Sequence, residues 1–344
     1  MADSRRRMRD DRRAVSKVLG TVLMVAIVLL LATTAAVMAT GFTAKLGGPY
    51  PQTAFDFEQT SSGIEVSPAH IGQPVDVYIN GGKITSFDEN DAGKSKLLPV
   101  APGDQIVIKA QDDDRSIIVR EKVSEGEAGE FIAFYSFEEG SGSTVTDRTV
   151  NDNEATIHDD TTWVDEGGST GLAFDGSDDY VEVAGLHADE TVEEFTVAAK
   201  YRIEGGTGDI QQIVEHHPPS GNFEWFLETE DSSADSMEYN IGWGGPNSES
   251  VVQSSGVATG TTHVVVGTYD GETMTLYIDG TKIGEKSIEE PIEMGKLLIG
   301  ADAPSGGSQY LDGKIYELRL YHTSFSQSDA QLLSDVMANE LAER

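Results

Sequence analysis

The sequence predicts a mainly β protein that begins with a single apolar helix, and two features of the 344-residue chain carry this prediction. A stretch without charged residues runs from Val18 to Ala44, directly behind a leader that contains six arginines. Beyond it, short segments of alternating apolar and polar residues are separated by Gly, Pro, Asn and Asp, which is typical of antiparallel sheets.

The uncharged stretch is long enough to cross a bilayer. At about 1.5 Å rise per residue, a helix over its whole length exceeds the roughly 30 Å hydrocarbon core. Because the arginines precede it, we expect the N-terminus in the cytoplasm and the rest of the chain outside the cell. The second half of the stretch, 32–41, is rich in Ala, Thr and Gly, which lets such helices pack closely on one another. The sequence therefore predicts membrane lipid as a partner, with the helix either standing alone or serving self-assembly.

Three processing fates fit this segment. A secretory signal peptide would be cut near 37–39, and a twin-arginine signal would use the pair at 12–13. The third fate follows from the stretch DRRAVSKVLGTVLMVAIVLLLATTAAVMATGF, which resembles the N-terminus of haloarchaeal type IV pilins. The resemblance implies cleavage after Ala14, which makes Val15 the first residue of the mature protein and retains the helix. It divides this part of the chain into a leader peptide at 1–14 and a transmembrane or filament helix at 15–46.

Charge and cysteine content exclude several classes of function. The formal net charge is −35, so nucleic acid is not expected as a partner, because phosphate binding requires basic patches. Such an excess of carboxylates suits a halophilic protein, since high salt screens their mutual repulsion. No cysteine is present, which excludes disulfide bonds, thiolate catalysis and cysteine–zinc sites.

A small β domain is predicted directly after the helix. Gly47-Gly48-Pro49 breaks the helix, and residues 50–123 then read as short strands of a small antiparallel β-sandwich. The turn at 70–74, HIGQP, resembles a turn of the compact β domain that follows the helix in haloarchaeal pilin-like proteins. The acidic, Gly-containing segment 121–130 predicts a linker to the next domain.

The last predicted domain occupies 131–344 and has longer strands. Two alternating strands flank Asp270-Gly271, the signature of a tight β-hairpin, and Ser326 with Asp329 predicts the capping box of a short final helix. The pieces FYSFEEGSGSTVTD, GLAFDGSDDYVEV, FTVAAKYRI, HVVVGTYDGETMTLYIDGTKIG, LLIGAD and LDGKIYELRLYHTSFS follow one another in this order. Together they resemble the laminin-G-like, concanavalin A-like lectin/glucanase jelly roll, which implies a two-sheet sandwich.

No catalytic constellation is predicted in this domain. Retaining glucanases of this fold carry a Glu-x-Asp-x-Glu strand, whose alternation puts three acids on one face. The nearest match here is Glu224, Glu228 and Glu230, but Phe226 stands where the middle acid belongs. We therefore predict that the chain is not an enzyme, and a membrane-tethered glycan-active enzyme stays as the alternative.

The resemblance also implies a calcium site at the rim of the sandwich. Calcium takes six to eight oxygen ligands, which acidic, Gly-rich loops supply. The competing interpretation is that these acids are solvated or form turns on an acidic surface. The residues that match the family's loop positions are Asp147, Asp175 and Asp312, and Asp178 and Asp179 lie next to Asp175.

A glycan ligand would pack on aromatic side chains, and the candidates are Trp225, Tyr239 and Trp243. We therefore expect a pilin-like protein of the cell membrane or of an extracellular pilus, whose lectin-like domain lies outside the cell. That domain is expected to serve adhesion by binding a glycan or a surface protein. A ligand-free spacer in the cell envelope is the further alternative.

Overall fold

The computed structural model divides the chain into two compact units, Met1–Ala54 and Phe55–Arg344. The predicted helix and the processing site at Ala14 and Val15 lie outside the described residues, within which no helix has the length and hydropathy of a membrane span. The described residues are 53–111, 117–124, 130–166, 169–186, 191–205, 210–218, 224–229, 235–243, 248–253, 255–289, 292–302 and 309–339.

The first part of the second unit consists of two antiparallel sheets. One has the strand order β1-β2-β5 and the other β4-β3-β6-β7. Alternation explains their burial: Val75, Val77 and Ile79 of β3 are buried, and the residues between them are half-exposed. The strands are β1 (Ala54–Thr60), β2 (Gly63–His70), β3 (Val75–Ile79), β4 (Gly82–Phe87), β5 (Lys96–Leu98), β6 (Gln105–Ala110) and β7 (Ile117–Lys122).

The larger part has eighteen further strands and one helix, as the described residues show them. They are β8 (Phe131–Tyr135), β9 (Thr144–Val145), β10 (Ala155–His158), β11 (Thr162–Glu166), β12 (Ser169–Asp175), β13 (Tyr180–Val183), β14 (Thr191–Val192), β15 (Phe195–Ile203), β16 (Gln212–His217), β17 (Glu224–Glu228), β18 (Met237–Trp243), β19 (Glu249–Gln253), β20 (His263–Tyr269), β21 (Thr273–Ile278), β22 (Thr281–Ser287), β23 (Ile292–Glu293), β24 (Lys296–Ile299), β25 (Asp312–Tyr321) and helix α1 (Gln327–Asn339).

These strands form two large sheets. The front sheet has the order β19-β18-β17-β16-β24-β13-β10-β9, and the back sheet has the order β11-β12-β25-β15-β20-β21-β22, with β8 also on β25. An apolar core joins them, in which Trp225 and Tyr239 of the front sheet and Val265 and Leu318 of the back sheet are buried together. The predicted hairpin is present, because β20 and β21 pair on either side of Asp270-Gly271.

A second apolar core lies on the other side of the back sheet. Strand β20 is buried on both faces: Val265 belongs to the inter-sheet core, whereas Val264 and Val266 pack in the second core. That second core also holds residues of the small β-sheets, such as Val77 and Phe87, together with the apolar stripe of α1. The two predicted domains thus share one core and form one compact unit.

Helix α1 is fixed at both ends. As predicted, Ser326 and Asp329 interact at its start: the Asp329 amide donates to Ser326 Oγ over 3.3 Å, and the Ser326 hydroxyl reaches Asp329 Oδ2 at 2.6 Å. Near its end, the buried Lys200 Nζ of β15 donates to the Met337 carbonyl over 2.6 Å. A cation at the C-terminal turn is favourable because the last carbonyls of a helix lack partners and carry partial negative charge.

Candidate functional site

Three aspartates converge in the turn between β12 and β13, which we call the rim triad: Asp175, Asp178 and Asp179. Oxygens of their carboxylates all lie within 4.8 Å of one another. The turn is held by its own hydrogen bonds, because the Ser177 amide donates to Asp175 Oδ1 and the Asp175 amide donates to Asp179 Oδ2, each over 2.9 Å. The chain therefore folds three negative charges into one short turn.

Asp179 is the buried member of the rim triad. Its side chain is only 2% exposed, and its Oδ1 is closed to solvent and accepts no hydrogen bond. Burial raises the pKa of Asp179, the hydrogen bonds from the Asp175 amide and the Thr161 side chain oppose this, and the negative charges of Asp175 and Asp178 add to it. A buried carboxylate oxygen without a donor is costly unless an ion or water satisfies it. The donor set of the rim triad therefore fits a calcium ion, which binds flexible groups of oxygens.

Asp312 lies beside the rim triad. It is the register partner of Asp175 between β12 and β25, and its backbone amide donates to Gln211 Oε1 over 2.8 Å. Burial raises the pKa of Asp312, and the charges of Glu204 and Asp175 raise it further. Room for this carboxylate comes from Gly205, where an added Cβ would lie 2.3 Å from Asp312 Oδ2. The structure thus brings four of the five predicted calcium ligands to one end of the sandwich.

Asp147, the fifth predicted ligand, has another role, and this prediction is corrected. Its Oδ1 accepts from the amides of Phe134 and Thr149, at 3.1 and 3.0 Å. Its Oδ2 accepts from the backbone and side-chain nitrogens of Asn153, at 3.0 and 3.1 Å. Four donors occupy the roughly four acceptor sites of a carboxylate. Asp147 therefore organises its loop instead of binding an ion.

Two of the three predicted glycan contacts are also corrected. Trp225 and Tyr239 are fully buried in the inter-sheet core. The Trp225 ring stacks on His216 at 5.4 Å between centroids and packs against Phe195 at 5.3 Å. No face of either residue is left for a sugar. The side chain of Trp243 lies outside the described residues.

An aromatic cluster that was not predicted from the sequence lies on the outer face of the front sheet. The rings of His158 and Tyr180 stack in parallel at 4.4 Å, and Tyr180 packs with Leu298, Ala301 and Tyr310. The alternation of side chains along β13 could have indicated it. Because Val181 is in the inter-sheet core, its neighbour Tyr180 faces outward, next to Asp179. Tyr180, Leu298 and Ala301 are buried, so His158 and Tyr310 are the partly exposed members of this cluster.

The predicted acidic strand places one of its acids on the same outer face. Glu228 is 7% exposed and pairs in register with Glu238 of β18. Burial raises the pKa of Glu228 to about 8, and the charges of Glu238 and Asp302 contribute. The side chain of Glu224 and the whole of Glu230 lie outside the described residues.

Comparison with protein families identifies two segments of the chain. Residues 175–331 match the concanavalin A-like lectin/glucanases superfamily, and residues 13–55 match the archaeal type IV pilin N-terminal family. The resemblances of the N-terminal segment and of the jelly-roll domain are thereby confirmed, whereas the turn at 70–74 lies outside both matches. The first match begins at the rim triad and extends into α1. No curated protein matches the chain significantly.

Solved structures resemble about 60% of the chain. The binding domain of botulinum neurotoxin serotype G aligns with a TM-score of 0.50 at 10% identity, over 61% of this chain and 51% of that one. Domain 4 of AbnA, a GH43 extracellular arabinanase from Geobacillus stearothermophilus in complex with arabinotriose, aligns with a TM-score of 0.49 at 17% identity, over 60% of this chain and 98% of that one. The chain thus spans about half the length of the neurotoxin domains. At such identities the likeness to the serotype G domain shows the jelly-roll fold alone.

Proposed function

We propose that this chain is a pilin-type protein of the archaeal cell surface, whose jelly-roll domain binds a glycan or a surface protein in adhesion. One observation carries the proposal: a single chain joins a pilin N-terminal segment at 13–55 to a lectin-like domain at 175–331. The first segment is a means of display, and the second is a fold on which ligand-binding loops are commonly built.

The display half rests on retention of the N-terminal helix. Cleavage between Ala14 and Val15 leaves the uncharged stretch on the mature protein, where it lies in membrane lipid or packs against other copies. Mass spectrometry of the mature protein from membranes or shed filaments checks this, and we expect Val15 as the first residue. A mature protein that starts near Thr40 has lost the helix, and that result would refute pilin-type display.

The binding half rests on the rim triad. We propose that Asp175, Asp178, Asp179 and Asp312 hold a calcium ion, which would supply a positive centre for ligand hydroxyl or carboxylate oxygens. The partly exposed rings of His158 and Tyr310, which pack with Tyr180, would contribute aromatic surface next to it.

Thermal melting in high salt tests this calcium site. A chelator should lower the melting temperature of the wild type, because an ion that binds only the folded state stabilises it. Asp178→Asn should reduce that shift, whereas the matched control Asp152→Asn, an exposed residue at φ +57°, should keep it in full. An unchanged shift in Asp178→Asn would remove calcium from the rim triad.

Ligand binding itself is tested by a glycan panel in high salt, with and without calcium. Saturable binding that the chelator weakens supports adhesion through the rim. Absence of saturable binding to glycans and to envelope proteins would favour a ligand-free spacer. We propose binding rather than catalysis, since Phe226 replaces the middle acid of the glucanase strand.

A further inference from the structure

Neighbouring strands of the front sheet carry several oxygen acceptors that do not belong to the rim triad. The register pairs Gln212 of β16 with Glu228 of β17, and Glu228 with Glu238 of β18. Leu227 and Tyr239, the next residues along β17 and β18, belong to the inter-sheet core. Alternation therefore turns the side chains of Glu228 and Glu238 outward as neighbours. Gln212 stands opposite Glu228 in the register, at the irregularity of β16 between Gln212 and Val214.

Gln212 presents a buried acceptor to this group. The residue is fully buried, and its Nε2 donates to the Val214 carbonyl over 3.2 Å, which fixes the orientation of the amide. Its Oε1 is closed to solvent and has no hydrogen-bond partner. A buried acceptor of this kind costs free energy unless an ion, a water or a ligand donor satisfies it.

Asp302 adds a second orphaned oxygen. The Gly300 amide donates to the Ile213 carbonyl over 3.1 Å, which holds the chain beyond β24 against the start of β16. Asp302 follows two residues later, close enough to Glu228 for its charge to raise the pKa of that carboxyl. The Oδ1 atom of Asp302 is likewise closed to solvent and without a hydrogen-bond partner.

We propose that Gln212 Oε1 and the carboxylates of Glu228 and Asp302 bind one hard cation of the calcium type, with Glu238 adding negative charge beside it. All of these groups are oxygen acceptors, the ligand class that such ions prefer. The orphaned atoms are closed to solvent, so the occupant is a single ion and not a sugar ring. The site shares no residue with the rim triad, so variants can remove either one separately.

A bound proton is the competing occupant. At neutral pH a protonated Glu228 would donate its own hydrogen to Gln212 Oε1 and leave no room for a cation. The two occupants predict different calcium binding. A cation needs the negative charge of Glu228 and the oxygen of Gln212, whereas a protonated Glu228 leaves the site unable to bind calcium.

Equilibrium dialysis of calcium against the full-length protein distinguishes them. The parent for this experiment is Asp178→Asn, which removes the rim triad as a source of signal, at pH 8 and constant high KCl. We expect this parent to bind a single calcium ion. Adding Glu228→Gln or Gln212→Met should weaken that binding at least about tenfold, because each preserves shape while removing a ligand.

Glu182→Gln is the matched control, since Glu182 lies on the same face but pairs with Lys296 Nζ at 3.3 Å, and it should bind like the parent. Calcium binding that is unchanged in both site variants would overturn the proposal, as would a parent that binds none. The second outcome needs no site variant, so the proposal stays testable if a variant fails to fold. If the rim triad binds no calcium, the wild type and the parent will bind the same amount. The comparison of the parent with the site variants is then unaffected.

Discussion

At the scale of single residues, His216 makes the free energy of unfolding depend on pH. It is fully buried, stacks on Trp225, and neither ring nitrogen has a hydrogen-bond partner. Burial, assisted by the neighbouring His217, lowers the pKa of His216 to about 3. In the unfolded chain the pKa is about 6.5, so between these values only the unfolded state takes up the proton. His216 therefore destabilises the fold as pH falls below about 6.5, by roughly 1.4 kcal/mol per pH unit.

Replacing His216 with Phe should remove this dependence, since Phe keeps a flat ring against Trp225 and cannot bind a proton. Urea unfolding at pH 7 and pH 5 measures it: the wild type should lose more stability between the two than His216→Phe. His70→Gln, at an exposed position of β2, serves as the control and should follow the wild type. Equal losses in His216→Phe and wild type would mean that other groups govern this pH range.

At the scale of elements, local features could be predicted from the sequence, but not which face of each strand is buried. The β20–β21 hairpin, the start of α1 and the clustering of Asp175, Asp178 and Asp179 follow from neighbours in the chain. Strand β17 carries aromatic residues on both faces, with Trp225 inward and Phe226 outward. Alternation says which residues share a face, but the facing sheet decides which face is buried, and that sheet is distant in sequence.

Asp147 shows the same limit in a loop. Its partners are Phe134, thirteen residues earlier, and Thr149 and Asn153, shortly after it. Only the folded chain brings them together around the carboxylate, so an aspartate in an acidic Gly-rich loop looked like an ion ligand. A matched pair of variants separates this structural role of Asp147 from the calcium-binding role proposed for Asp178.

Asp147→Asn should destabilise the fold by about 1–3 kcal/mol with or without calcium, because an amide NH₂ cannot accept the hydrogen bonds that the carboxylate takes. Asp178→Asn should melt below the wild type in calcium, and the two should melt alike in chelator. Melting of both variants in calcium and in chelator gives the two patterns. A calcium-dependent effect of Asp147→Asn would restore Asp147 to the calcium ligands.

At the scale of the whole molecule, the small β-sheets and the jelly roll are joined by buried charge as well as by apolar contact. Arg319 of β25 is fully buried, donates from Nε to Glu317 Oε1, and donates from Nη1 to the Pro99 carbonyl over 3.2 Å. Its guanidinium also lies 5.2 Å from the centroid of the Phe134 ring. Asp104 of the small sheets is buried within the field of the same arginine. The small β-sheets and the jelly roll therefore form one compact unit, in which the charge of Arg319 balances acids from both parts.

Arg319→Met should break this balance while roughly preserving volume. Glu317 would lose its interaction with the Arg319 guanidinium, and removal of one partner of a buried ion pair typically costs about 3–5 kcal/mol. Because the two parts share one core, wild type and variant should each unfold in a single transition when followed by both far-UV and near-UV circular dichroism, with the variant melting lower. Arg319→Met/Glu317→Leu removes both charges and should recover much of the loss, since apolar replacements of a buried pair are often tolerated. Two separate transitions in the wild type would show that the small sheets and the jelly roll unfold independently. A double variant no more stable than Arg319→Met would show that the loss does not come from the unbalanced charge of Glu317.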